Sequence, residues 1–231
     1  MARAGARACG LKMLNPRLDT LPAPQRKLWA ELGAVPAGFV LYGGTALALR
    51  LGHRISEDFD FFSNASFQPD ELERRISFLA DSVRIQSSPN TLVSLVDRDG
   101  RVKVSFFGGL NLRRTQDPEA SVKPGIWVAS LQDLAATKVK AVQDRAEAKD
   151  YLDILRLLEE GVELAAALGA ASAVYGPSFN PLLSLKALTY FADGDLPGLP
   201  EKVKARLFEA VQEVDPSQIP EVAALPGGLL P

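Results

Sequence analysis

The sequence predicts an α+β protein in which a mixed-sheet lobe is followed by a helical lobe. Two observations carry this. Up to about residue 129, short apolar runs alternate with Gly-containing turns; from Ser130 onward, apolar residues recur at helical spacing. With 231 residues, 47% apolar and 23% charged, the chain is long and apolar enough to pack a core. The predicted lobes are 15–129 and 130–215, with tails at 1–14 and 216–231.

Residues 1–14 read as a loose segment without a signal-peptide apolar run. Its Cys9, the only cysteine, cannot form an internal disulfide and fits a reducing, cytoplasmic setting. Leu18 to Leu32 reads as a helix interrupted early by Pro22 and Pro24. Phe39 to Tyr42 is a short apolar strand that ends at Gly43-Gly44, and a helix follows from Thr45 to Leu51. Asp58 to Phe62 alternates acid and aromatic, as a strand does. Pro69 opens a helix with acids in its first turns. Val83 to Gln86 is a short strand, and Leu92 to Val96 and Val102 to Phe107 flank the hairpin turn Asp97-Arg98-Asp99-Gly100. Ile126 to Val128 reads as an edge strand.

The helical part opens at Ser130, where Ser130 and Asp133 resemble a capping box. Helices are predicted over Leu131 to Val142, Ala146 to Glu159, Glu163 to Tyr175, Pro181 to Phe191 and Glu201 to Val214, with an irregular Pro/Gly-rich end after Pro216. No segment reaches the roughly 20 apolar residues of a membrane helix. A net charge of −2 gives no global attraction to nucleic acid and leaves a local basic patch open.

The chemistry concentrates in two places. In a strand, residues i and i+2 share a face, so Asp58 and Asp60 project together while Phe59 and Phe61 turn into the core. Two adjacent carboxylates repel, and a hard divalent cation, Mg2+ or Mn2+, relieves that repulsion and can bridge substrate phosphates. Upstream, Gly43 and Gly44 allow close backbone approach, and Thr45 starts a helix whose N–H groups can cradle phosphate oxygens. Each piece alone is also compatible with a tight turn or a solvated strand face. Together they form a compact phosphate-and-metal unit.

The run from Leu41 to Arg54, followed by Ser56-Glu57-Asp58-Phe59-Asp60-Phe61-Phe62, resembles the first motif of the AbiEii/AbiGii toxin family, within the polymerase-β-like nucleotidyltransferase superfamily. Ser130 to Val142, Arg145 and Lys149 to Ile154 are also similar to that family. The resemblance implies a polymerase-β-like nucleotidyltransferase lobe in which Gly44 and Thr45 contact nucleotide phosphates and Asp58 and Asp60 bind the metal. It implies transfer of a nucleotidyl group from an NTP to an RNA (tRNA-like) or protein acceptor, and a bacterial phage-defence toxin with an antitoxin partner.

Lys138 falls four residues after Leu134, on the helix face that otherwise packs inward. It must snorkel or meet an anion, such as a nucleotide phosphate. Asp150 and Asp153 share a face of the next helix. They are read either as a salt-bridge network with Lys138 or Arg145, or with Asp150 beside the active cleft. Arg54 is expected on a triphosphate or on Glu57. The superfamily's third carboxylate belongs on the strand Val102 to Phe107, where this chain carries Ser105 facing the cleft beside Lys103. Serine is a poor Mg2+ ligand and no base near neutral pH. A base from Glu57 or His53, a more acidic or preactivated acceptor, and a catalytically silent nucleotide-binding module therefore stay open; a transferase acting on a small molecule is a separate alternative.

Overall fold

The computed structural model describes residues 13–231. Cys9 and the rest of the segment 1–12 lie outside the described residues. The elements, in chain order, are β1 (Met13–Leu14), α1 (Ala23–Trp29), β2 (Val40–Tyr42), α2 (Gly43–Leu51), β3 (Phe59–Phe62), α3 (Pro69–Arg75), β4 (Val83–Ser88), β5 (Thr91–Asp97) and β6 (Arg101–Phe107). They continue with β7 (Glu119–Ser121), β8 (Trp127–Val128), α4 (Leu131–Asp144), α5 (Ala148–Glu159), α6 (Leu164–Tyr175), α7 (Pro181–Ala187) and α8 (Glu201–Gln212).

Among the described residues the strands form one mixed sheet, in the order β1-β7-β8-β2-β3-β6-β5-β4. β3 lies between antiparallel β2 and parallel β6, so Asp60 sits opposite Tyr42 on one side and Ser105 on the other. The predicted alternation holds. Phe59 and Phe61 are fully buried, Phe61 stacks on Phe106 at 5.3 Å between ring centres, and Trp29 packs on Phe59 at 6.3 Å. This places Asp60 on the opposite face.

Several expectations are corrected. Leu18 to Leu32 is not one helix: the prolines confine the α-helix to Ala23–Trp29, between single 3-10 turns. The helix after β2 starts at Gly43 rather than Thr45, because Gly43 adopts φ +74° and lets the chain turn directly from strand to helix. The segment around Trp127 is no edge strand. β8 is flanked by β2 and β7, and β7 escaped notice because three residues carry no period. The helix from Pro181 stops at Ala187, short of Phe191.

The C-terminal segment is not a free tail. The buried Arg114 donates from Nη1 to the carbonyls of Pro226, Gly228 and Leu230 at 2.5, 3.1 and 2.6 Å. Asn64 accepts from Leu229 N–H at 2.6 Å, and Leu229 is itself buried. Residues after 216 thus strap the helical part back onto the sheet.

α4 is capped as predicted, with Ser130 Oγ accepting from Asp133 N–H at 3.0 Å. Asp133 departs from the capping-box role. Its carboxylate accepts from the backbone and hydroxyl of Thr115 at 2.8 and 2.6 Å, pinning the preceding loop to the helix start. α4 packs chiefly on α6 and touches α5, α2 and α7, so it is the helix around which the helical part gathers. No helix among the described residues is long and apolar enough to cross a membrane.

Candidate active site

The site grows from the β2–α2 turn. Tyr42, the residue before α2, is extended and contributes no side-chain cap, so the first N–H groups of α2 are left for an external acceptor. Gly43 lies directly against the Asp60 carboxylate: a Cβ at Gly43 would stand 2.8 Å from Asp60 Oδ2. A glycine bend and an acidic side chain therefore converge. Arg54 lies over Gly44, where a Cβ would collide with its guanidinium.

Thr45 does not present its hydroxyl outward. It is buried, donates to the Asp58 carbonyl and meets Ser56 Oγ at 2.8 Å. It anchors the approach to β3 and so sets where Asp58 leaves the backbone. Asp58 itself stands just before β3 and is half-exposed, with its Oδ2 2.7 Å from Lys103 Nζ.

Burial pushes the Asp60 carboxyl up from its ordinary value. The Ser105 hydroxyl beside it pulls it down, the neighbouring Asp58 charge raises it, and Lys103 and Lys138 draw it down again, leaving a net rise. A carboxylate held in a dry place beside a second acid offers a hard-oxygen donor set. Asp58 and Asp60 suit Mg2+ or Mn2+ in this respect. No group of three or more His, Cys, Asp or Glu is arranged to hold a metal among the described residues, so the remaining ligands would be water or substrate oxygens. Ser105, where a third carboxylate would stand, is buried directly opposite Asp60.

Behind this face lies a buried ion cluster. Asp153 is fully buried, accepts from Arg54 Nε at 2.7 Å and Nη2 at 2.8 Å, meets His53 Nε2 at 2.7 Å, and forms an ion pair with Lys138 Nζ at 2.6 Å. Asp150, also fully buried, takes Lys138 Nζ at 2.7 Å and Arg145 Nε at 2.7 Å. Burial pushes both carboxyls up. At Asp153, hydrogen bonds from Arg54 and His53 and the Lys138 charge outweigh it and hold the group well below its ordinary value. At Asp150, Arg145 and Lys138 do the same.

The predicted residues thus fall into two groups. Asp58, Asp60, Gly43 and Gly44 form the open face. Lys138, Asp150 and Arg54 form the buried cluster behind it. Arg54 meets neither a phosphate nor Glu57; its fork is spent on Asp153. Lys138 faces inward as its spacing implied, and the anions it meets are Asp150 and Asp153. Lys149 does not join them and pairs with Glu147 at 2.8 Å. His53, considered as a base, is turned onto Asp153. Sequence reasoning under-read Asp153, although its i,i+3 spacing from Asp150 was the available signal, and missed Lys103 as the partner of Asp58.

Two cavities lie elsewhere: one of about 360 Å3 between α5, α6 and α8, and one of about 350 Å3 beside Arg145 and Tyr190. Neither is lined by Asp58 or Asp60.

Residues 27–224 match the family described as nucleotidyl transferase AbiEii toxin, type IV toxin–antitoxin system. An uncharacterised protein of Aquifex aeolicus (strain VF5) is 36% identical over 124 residues, covering 53% of this chain. The chain spans 58% of that relative's length. In fold, the chain is similar to MenT4, a nucleotidyltransferase toxin of Mycobacterium tuberculosis H37Rv, with TM-score 0.61 and 17% identity over 83% of this chain and 82% of that one. It is also similar to a candidate nucleotidyltransferase from H. pylori, with TM-score 0.51 and 20% identity over 82% of this chain and 90% of that one.

Proposed function

Because this chain belongs to the AbiEii nucleotidyltransferase toxin family, we propose that it transfers a nucleotidyl group from an NTP to an RNA or protein acceptor, as the toxin of a toxin–antitoxin pair. The observation that carries this reading is the closeness of Gly43 to the Asp60 carboxylate, which would set a helix start able to bind phosphate beside an acid able to bind a cation. Asp58 and Asp60 would hold Mg2+ or Mn2+. Such an ion supplies neutralisation of the charge that develops around the α-phosphate.

The protein's own groups do the positioning. Gly43 and Gly44 admit the outer phosphates to the N–H groups of α2, with Thr45 holding Asp58 in place. Lys138 adds a fixed positive charge that favours ionised Asp60. The bond between the α-phosphorus and the bridging oxygen breaks, pyrophosphate leaves, and an acceptor oxygen bonds to phosphorus as its proton passes to water or a nearby base. Orientation and electrostatics supply most of the acceleration in such a site.

The test incubates the protein with each labelled NTP, Mg2+ or Mn2+, and total cellular RNA plus protein, with Asp60→Asn beside it. Label on one acceptor class with wild type, and none with D60N, is expected. Full-rate labelling by D60N would sink the assignment. Nucleotide binding with no label under any condition would favour a binding module, a reading that the buried Ser105 opposite Asp60 supports.

A further inference from the structure

Lys103 stands out among the cations around the acid face. Lys138 is buried between two carboxylates, and Arg54 is held by both oxygens of Asp153. Arg145 bonds both oxygens of Asp150. Among the described residues Lys103 instead has one ion-pair partner, Asp58, at 2.7 Å, and both side chains are 40% exposed. It projects from β6 on the same face as Ser105, two residues away, and feels the Asp60 charge as well.

The contact has a chemical consequence. The oxygen that pairs with Lys103 Nζ is one of the oxygens that a divalent cation on Asp58 and Asp60 would use. An ammonium and a hard divalent ion compete for the same lone pairs and repel each other at that distance. A lysine stem is flexible, so its head can leave without disturbing β6. Once displaced, it stays in a cleft that the proposed reading fills with nucleotide phosphate.

We propose that Lys103 is an exchangeable counter-ion: it pairs with Asp58 when no metal is bound and moves to a nucleotide phosphate when a divalent cation takes Asp58. Metal and nucleotide then bind cooperatively through Lys103, and by linkage each favours the other by the same factor. This rests on the metal-and-nucleotide reading given above. A purely structural, half-exposed ion pair would produce no such coupling.

Mn2+ binding, followed by electron paramagnetic resonance of the free ion, tests it in full-length wild type, K103M, K103R and D60N. Circular dichroism checks that each variant is folded. Without nucleotide, K103M should bind Mn2+ on the order of 5-fold more tightly than wild type, because the competitor is gone. K103R should stay near wild type, and D60N should lose the site. With Mn2+ saturating, titration with each NTP should show K103M binding nucleotide on the order of 5-fold more weakly. Unchanged or weaker Mn2+ binding by K103M, or unchanged nucleotide affinity, would overturn the exchange while leaving the metal site standing. No Mn2+ uptake by wild type would remove the underlying reading and the exchange with it.

Discussion

Replacing Asp153 by Ala should be among the most damaging single changes in the chain. The carboxylate is fully buried and is shared by Arg54, His53 and Lys138, whose side chains are only 22%, 7% and 5% exposed. Lys138 keeps Asp150, but Arg54 loses both of its strong hydrogen bonds and its nearest counter-charge while still largely buried. Breaking a buried ion pair from one side costs about 3–5 kcal/mol. For a chain of this length, about 1 kcal/mol lowers the midpoint by roughly 2–4 °C, so a fall of roughly 6–20 °C is expected. The check is thermal unfolding by circular dichroism, with urea titration for the free energy. Glu209→Ala is the control, since its pair with Arg206 on α8 is exposed and its loss should not register. The pH limb adds a second signature. Asp153's folded value is depressed, so its contribution is present above the unfolded value of about 3.9 and is lost as pH falls toward the lower folded value. Wild type should lose stability along that limb, and D153A should not share that part of the slope. A cost under about 1 kcal/mol would mean that water screens the cluster and that the low-dielectric argument is wrong.

Three further outcomes are expected. Gly43→Ala places a Cβ at φ +74° and 2.8 Å from Asp60 Oδ2, so it should cost about 1–2 kcal/mol and weaken Mn2+ binding, both measurable by titration. Arg114→Ala strips the donor from three carbonyls of the C-terminal strap. It should cost about 3 kcal/mol and open the segment after residue 216 to limited proteolysis, visible by mass spectrometry. Asp60 has a raised folded value, so its favourable contribution is present below the unfolded value of about 3.9 and is lost as pH rises through the folded one. Metal-free D60N should therefore melt above wild type at pH 7, with the difference vanishing toward pH 4; equal midpoints at both pH values would contradict this.

The parts of the fold that the sequence announced are those with a local period. Phe59, Asp60 and Phe61 alternate, and β3 alternates accordingly. Leu131, Leu134 and Lys138 share a helix face, and Lys138 lies inside. What stayed hidden is set by long-range contact. Nothing local to Trp127 tells that β8 has neighbours on both sides, and nothing local to Pro226 tells that Arg114 will hold it. The acid pair and the glycine bend were legible because each is a short motif. The partners of Arg54 and Asp58 were not: Arg54 finds its acid 99 residues along the chain, and Lys103 reaches Asp58 only once β6 has docked on β3.

The same separation has a consequence during synthesis. His53 and Arg54 leave the ribosome long before Asp153, which lies 100 and 99 residues later. At roughly 5–20 residues per second, the interval is on the order of 5–20 s. Throughout it the nascent glycine bend exists without the carboxylate that will pin Arg54 over Gly44. The half of the protein that carries Gly43, Asp58 and Asp60 is therefore translated first but cannot take its final form until α5 has been made.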